Sequence, residues 1–484
     1  MVVSTELAVS ATAPRPVRVP WLIWGLSAIV VLGAFTSMLS STIATVALPG
    51  IARDLHASFA AAQWATTGYL LALAAGVPLS GWAARRLGPS RLWLLSLGLF
   101  GAFSVVCATA GTIEVLIAGR VLQGLAGGLL VPAGQTVLGI VAGRERLGRV
   151  LSTTGIAIVV APTLGTTLGS VLVDHLSWPW LFWMALPLCA VAAVSGAAWL
   201  PRVNVGPAGP LDRLGLLLVL AGLPLLTYGI SAVGTARGLG SGYADADAGG
   251  GAVLLAAFAL RSLRTPTPLL QLRLLTNRVF SCAAAVMFFG GAVNFGAQVV
   301  LPLYFLQVRS ESLLAAGLLI APQVLGTALG FPVAGRLTDR HGAGLLLLTG
   351  GAITAVATVP LALVGAGTGY RWLGLVLFVR GLGVALGTIP AMTAGLTSVT
   401  RDQLADATPL LNVSQRTGAT IGTALVAVLY SSRLTGEAGP AQALTAFRWA
   451  GWWLFATACL VTLPAVLLTR AERAARAAGP RPAP

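Results

Sequence analysis

Three arginines stand inside apolar runs of this chain: Arg120, Arg380 and Arg416. A guanidinium near the middle of a bilayer costs on the order of 2.5–3.5 kcal/mol on insertion scales, so it must face a wet cavity or be paired. Arg120 lies in IAGRVLQGLAGGLLVPAGQ, with Gln123 at i+3 and Gly124 at i+4. Those spacings put a polar group and a gap on the arginine's own helix face, which describes a close-packed, polar-lined wall. Such a wall could stabilise an anion. Arg380 and Arg416 stand in the second half, where they read as structural or cavity-rim residues.

Acids that would complement these arginines are missing from the interior. The chain holds 14 acidic residues, and none lies well inside an apolar run. Glu114 sits at the outer mouth of the run that holds Arg120, about 9 Å away along a helix axis at 1.5 Å per residue. A solvated helix start, where a carboxylate is favoured, explains Glu114 equally well. Asp54 and Asp174 fall in outer loops, and Asp406 at the inner start of a later span. The remaining cavity candidates are polar or aromatic residues within apolar runs: Ser40, Trp64, Tyr69, Gln123, Gln135, Asn294, Gln298, Gln323 and Asn412. Asn294 and Gln298 are i,i+4 and share a face. Hydrogen bonding between helices, about 0.6 kcal/mol per contact on average, is the plainer explanation for some of them.

The elements that carry these residues follow from composition. Mean hydropathy is +0.88, hydrophobic residues make up 56 % and charged residues 9 %. A soluble chain has about a quarter charged residues, so this one is dissolved in lipid. Uncharged runs that span a bilayer must be helices, because only then are their backbone hydrogen bonds internal. The reading is an all-α polytopic membrane protein with fourteen spans, the eighth cut to residues 248–260 by Asp245 and Asp247. Its parts are a tail at 1–20, a six-helix bundle at 21–200, a linker with two additional helices at 201–277, a second six-helix bundle at 278–469 and a tail at 470–484. The first tail carries Pro and Arg without a cleavage-type signal, so the first span is expected to stay as an anchor.

One turn occurs twice. GWAARRLGPSR (81–91) returns as GRLTDRHGAG (335–344), each copy closing one apolar run and preceding another. Gly81, Gly88, Gly335 and Gly342 permit tight backbone geometry, and Asp339 with Arg340 could pin helix ends across a bundle interface. The duplication makes the protein two related membrane halves.

A net charge of +16 would suit a nucleic-acid partner. Most arginines, however, fall in alternate loops on one side, including Arg85, Arg86, Arg91, Arg144, Arg146, Arg149, Arg261, Arg264, Arg273, Arg278, the leading Arg15 and Arg18, and the tail from Arg470 to Arg481. That is the positive-inside bias, placing both termini in the cytoplasm of a plasma (inner) membrane protein. The sequence contains no lysine, which excludes a Walker-type phosphate loop and a lysine Schiff base. Cys107, Cys189, Cys282 and Cys459 are single and far apart, as buried inert thiols are. His56, His175 and His341 lie at loops with no nucleophile motif or ligand pair. No enzyme, metal or cofactor is expected.

The ordered motifs resemble the fourteen-helix drug:proton antiporter branch of the major facilitator superfamily over nearly the whole chain. They are the TVALP end of the first span, QWATTGYLL, the two turns, RVLQG, APTLG, SWPWLFWMALP, LPLYFLQ, AGLLIAPQ and NVSQRTG. The resemblance implies two six-helix bundles with two helices between them, a central cavity, alternating access by rocking, and a proton-coupling role for Arg120. It also implies a gating role for Gly81, Arg85, Arg86, Gly88, Gly335, Asp339 and Arg340. Gly155, Pro162, Gly165 and Gly169 keep the antiporter-specific pattern of the fifth span, while Thr166 and Ser170 depart from it. Two further departures matter. Ser40 stands where the family has a protonatable aspartate, and Arg85 stands where it has a gate acid. Either Asp339 then carries more of the inner latch, or that closure is weaker here.

These readings lead to a secondary active exporter of small amphipathic molecules, a monomer in the bilayer, coupled to protons through Arg120 with Glu114. A cavity with arginine and no acid favours neutral, zwitterionic or anionic substrates over cations. An uncoupled facilitator or importer is the alternative that Ser40 and Arg85 support, and a non-transporting sensor is a third.

Overall fold

The structure is a computed structural model that describes residues 19–235, 242–434 and 439–477. The extreme tails, with Arg15, Arg18 and Arg481, lie outside the described residues. The chain begins with α1 (Trp21–Asp54), α2 (Phe59–Leu87), α3 (Pro89–Ala108), α4 (Ile113–Ala142) and α5 (Leu147–His175). A short α6 (Trp180–Trp183) runs through Met184, whose backbone stays helical, into α7 (Ala185–Trp199), and Trp180–Trp199 together are long and apolar enough to span. Next come α8 (Arg213–Thr235) and α9 (Gly242–Arg264). The second half is α10 (Arg278–Leu303), α11 (Leu313–His341), α12 (Ala343–Ala362), α13 (Tyr370–Thr397), α14 (Leu404–Ser431) and α15 (Pro440–Ala477). There is no strand among the described residues.

Twelve helices among the described residues are long and apolar enough to cross a bilayer. The fourteen expected from sequence are not all reached by length and apolarity. In α8 the apolar stretch is the shorter Arg213–Leu226, and α14 carries Asp406 and Arg416 along its 28 residues. Conversely, α9 is longer than its sequence suggested, with Ala246–Arg264 apolar enough to span. Acids in an opening turn favour a helix rather than end it, because they meet the positive end of its dipole.

α1 to α5 with α7 form one bundle, in which α2 packs on α4 and α1 on α5. α10 to α15 form the second, with α10 on α14 and α11 on α13. Lipid supplies no hydrophobic drive between helices, so close backbone approach at small residues has to hold them. Gly128 shows this: a methyl there would run into the Leu73 carbonyl of α2. α8 packs on α2 of one bundle and α14 of the other, astride the seam, and α9 packs on α8.

Candidate functional site

The bundles meet at the arginine-rich end of the molecule, where α2, α4, α11 and α13 finish and α5 and α14 begin. Arg85 at the end of α2 forms an ion pair with Asp406 in the first turns of α14; the two side chains are 15 % and 6 % exposed. A Cβ at Gly81 would lie 2.9 Å from the Ala405 carbonyl oxygen, so the glycine lets α2 reach α14. The second copy of the turn is built in the same way. A Cβ at Gly335 would lie 2.6 Å from the Gly148 carbonyl oxygen. Beside it, Asp339 accepts from the Gly148 amide at 2.9 Å, the Arg149 amide at 3.3 Å and Arg149 Nε at 2.7 Å. Gly148 and Arg149 lie in the first turn of α5, so an acid of one bundle caps a helix of the other and meets its dipole.

These two pairs revise the expectation for the reversed charge at Arg85. Neither a lone Asp339 nor a weakened closure is needed, because Asp406 supplies the acid from the opposite half. Two more ties lie nearby: Arg144 Nη2 donates to the Val399 carbonyl at 3.1 Å, and Asn412 Nδ2 donates to Gln135 Oε1 at 2.8 Å. Asn412 and Gln135 are thus paired with each other across the interface. Arg86 and Arg340 are exposed, so of Asp339 and Arg340 it is Asp339 that pins a helix end across the interface, with Arg149 as its partner. Gly88 and Gly342 are the true turn glycines, with φ of +85° and +89°.

Inside each bundle a buried arginine ties helices together, three around Arg120 and four around Arg380, whose Nε also donates to Thr358 Oγ1 of α12 at 3.4 Å. Arg120 has 0 % exposure. Its Nε donates to the Ala65 carbonyl of α2 at 2.9 Å, Nη1 to Gln123 Oε1 at 2.7 Å and Nη2 to the Ser40 carbonyl of α1 at 3.0 Å. The guanidinium lies 3.9 Å from the Tyr69 ring centroid, and the Tyr69 hydroxyl donates to the Ser37 carbonyl at 2.7 Å. Arg380 repeats the design on α13, also at 0 % exposure. Its Nη1 donates to Gln323 Oε1 of α11 at 2.9 Å and Nη2 to the Val293 carbonyl of α10 at 3.0 Å.

The expectation that Arg120 faces a wet vestibule is therefore corrected. Backbone carbonyls, a glutamine oxygen and an aromatic face solvate it instead of water. The same nests take Ser40, Tyr69, Gln123 and Gln323 out of the vestibule wall and into the bundle interiors. Glu114 is exposed in the first turn of α4 and forms no ion pair with Arg120. Trp64 and Gln298 are exposed and Asn294 is half-buried. On α5, Gly155 faces Phe331 and Ile389 of the other bundle, while Gly165 and Gly169 face Leu39, Thr42 and Ile43 of α1. Thr42 Oγ1 donates to the Pro162 carbonyl at 3.0 Å.

Beneath the Arg85–Asp406 pair lies a cavity of about 330 Å³, walled by Trp82, Asp212, Asp402 and the proline-rich links before α8 and after α9. Trp82 Nε1 donates to the Gly209 carbonyl at 3.0 Å, and Asp212 pairs with Arg261 at 2.8 Å. Sequence reasoning missed Asp406 and Arg149 as partners, since 321 and 190 residues separate the paired positions. One signal was available: an acid opening a second-half helix, where the first turn carries the opposite charge.

Two internally tied apolar helical bundles, joined to each other at one end by ion pairs, have the architecture of a polytopic membrane transporter. The chain belongs to the Major Facilitator Superfamily, whose family model matches residues 30–423. It is similar to the Multidrug resistance protein B homolog of Mycobacterium tuberculosis, 34 % identical over 403 residues that cover 82 % of this chain and 74 % of that one. It is also similar to the Lincomycin resistance protein LmrB of Bacillus subtilis, 29 % identical over 428 residues, 86 % of this chain and 89 % of that one. Among solved structures, the human organic anion transporter MFSD10 (TETRAN) shares the fold at a TM-score of 0.63 and 17 % identity, covering 93 % of this chain and 100 % of that one. The proton:xylose symporter XylE does so at 0.62 and 13 %, covering 93 % and 96 %.

Proposed function

We propose that the protein is a secondary active exporter of small amphipathic molecules, drugs or antibiotics among them, working by alternating access as a monomer in the plasma (inner) membrane. The names of its multidrug- and lincomycin-resistance relatives support export. The observation that carries the mechanism is the pair of reciprocal latches, Arg85–Asp406 and Arg149–Asp339, joining the bundles at one end. Each nest makes its bundle a rigid body, and breaking the latches lets the two bodies rock. On this reading the arginine-rich end is cytoplasmic, with both termini there. The chain crosses fourteen times and divides into a tail at 1–20, bundles at 21–200 and 278–469 with the linker 201–277 between them, and a tail at 470–484.

Transport is coupled to protons through the latch acids, with Glu114 and Arg120 having no direct part in proton transfer. Asp406 Oδ1 is buried without a hydrogen-bond partner, which leaves it able to take a proton. Protonating Asp406 or Asp339 removes the charge that holds the opposing arginine and unlocks that end. The substrate is neutral, zwitterionic or anionic rather than cationic, because among the described residues no unpaired acid lies deep between the bundles. Efflux from proteoliposomes with and without an imposed pH gradient tests this. The gradient should accelerate wild-type efflux, Asp406→Asn and Asp339→Asn should abolish the acceleration, and Glu114→Gln should keep it. Wild-type efflux indifferent to the gradient would instead select an uncoupled facilitator.

A further inference from the structure

Arg416 is the deep arginine that the nests and latches do not use. It stands twelve residues into α14, about 18 Å from the helix start at 1.5 Å per residue, one turn beyond Asn412 on the same face. Arg120 and Arg380 are wrapped by carbonyl and glutamine oxygens at 2.7–3.0 Å. Arg416, by contrast, is only half-buried. Among the described residues it has no ion pair and no hydrogen-bond partner. Tyr69 is within electrostatic reach, but its hydroxyl already donates to Ser37.

Arg416 lines a small cavity of about 30 Å³ with Leu71 and Ala74 of α2, Leu223 and Pro224 of α8, and Thr417 and Thr420 of its own helix. Beside the arginine the walls are apolar apart from two threonines, and one turn nearer the start of α14 Asn412 is bonded to Gln135 of the other bundle. In the latched state this space suits a water or two. Because α2 and α14 belong to opposite bundles, rocking widens it. A guanidinium held deep in a membrane protein without an acid leaves its donors for a ligand, and its planar fork suits a carboxylate or sulfonate.

The geometry points to Arg416 as the binding group for the anionic head of an amphipathic substrate, whose apolar body lies along the α2–α14 seam. This rests on the exporter reading and narrows it from neutral, zwitterionic or anionic to solutes carrying an organic anion.

The test compares three probes sharing one pyrenebutyl body: the carboxylate, the alcohol and the trimethylammonium. Binding to the full chain in phosphatidylcholine nanodiscs is read by energy transfer from tryptophan, against empty nanodiscs. Wild type should prefer the carboxylate over the alcohol by about tenfold or more, consistent with the strength of a charge-assisted bond. Arg416→Gln should erase that preference and leave the alcohol within about twofold, while Arg416→Lys, which keeps the charge and loses the fork, should retain part of it. Loss of a structural arginine would lower the melting temperature, whereas Arg416→Gln should melt at or above wild type because an unpaired charge has gone.

Equal affinity for carboxylate and alcohol in wild type, or a preference that survives Arg416→Gln, overturns the assignment. Repeating the titration with phosphatidylglycerol nanodiscs separates the sources of the anion. Unchanged carboxylate affinity supports a solute site, and its abolition assigns Arg416 to lipid headgroups and overturns the proposal. Counterflow of the carboxylate in proteoliposomes isolates the parent reading: selective binding without movement sinks the exporter but leaves the site.

Discussion

Asp339→Asn perturbs the latch with the least change of shape. The wild-type carboxylate, 5 % exposed, accepts three bonds from the start of α5. Hydrogen bonds to a charged group contribute roughly 1.5–3 kcal/mol each when buried, and a carboxylate at a helix start adds about 0.3–1 kcal/mol. When the latch opens, water replaces much of this at both partners, and Arg149 is already 20 % exposed. The net closed-state preference from this acid is therefore nearer about 2–4 kcal/mol than the sum. Asparagine keeps one acceptor and loses the charge, so about half should go, on the order of 1–2 kcal/mol. That is roughly a 5- to 30-fold rise in the open-to-closed ratio at this end. Spin labels at Leu87 and Arg401, both exposed and on opposite bundles, report the ratio by electron–electron distance measurement. Arg149→Gln should give a similar shift, and the double variant should fall short of additivity by about 0.5 kcal/mol or more. If both single variants leave the distance distribution within twofold of wild type, the ion pair does not hold the bundles together and the mechanism loses its support.

Three further outcomes follow from the packing. Arg120→Lys should lower stability by about 2–4 kcal/mol in a denaturation midpoint, because one ammonium cannot span acceptors on α1, α2 and α4 as the guanidinium fork does. Gly128→Ala should cost about 1–3 kcal/mol, seen as a lower melting temperature, since the new methyl forces α4 away from the Leu73 carbonyl. Glu472→Gln should cost about 1 kcal/mol and loosen the end of α15 in hydrogen exchange, because Glu472 caps the start of α12 through the Ala343 and Gly344 amides at 3.2 and 3.1 Å.

Helices and duplication were readable from the sequence because apolar runs and repeated glycines are local signals. The four turn glycines read alike there, yet they do two different jobs. Gly88 and Gly342 adopt positive φ, while Gly81 and Gly335 sit in regular helix and admit a neighbouring backbone. Sequence marked Arg120 as costly in lipid, but it could not say whether water or protein oxygen would solvate it. The carbonyls that do so belong to Ser40 and Ala65, 80 and 55 residues away. A backbone carbonyl leaves no trace in residue type. Tyr69, Gln123 and Gln323 misled for the same reason: a polar side chain in an apolar run looks alike whether it faces a vestibule or a buried guanidinium. Asp406 was visible as an acid at a helix start, and only the approach of α2 to α14 gives it a partner.

The cavity beneath the Arg85–Asp406 pair has an electrical consequence. About 330 Å³ of space adjoins the pair at the arginine-rich end, so a proton reaching Asp406 from that side traverses little of the transmembrane field. A proton arriving from the opposite side falls through nearly all of it, worth about 2.3 kcal/mol per 100 mV. The Arg85–Asp406 latch therefore lies at the low-resistance terminal of the circuit. Under the proposed proton coupling, opening and closing it moves almost no charge through the membrane voltage, and the electrical work of each cycle falls on whatever ion completes the crossing.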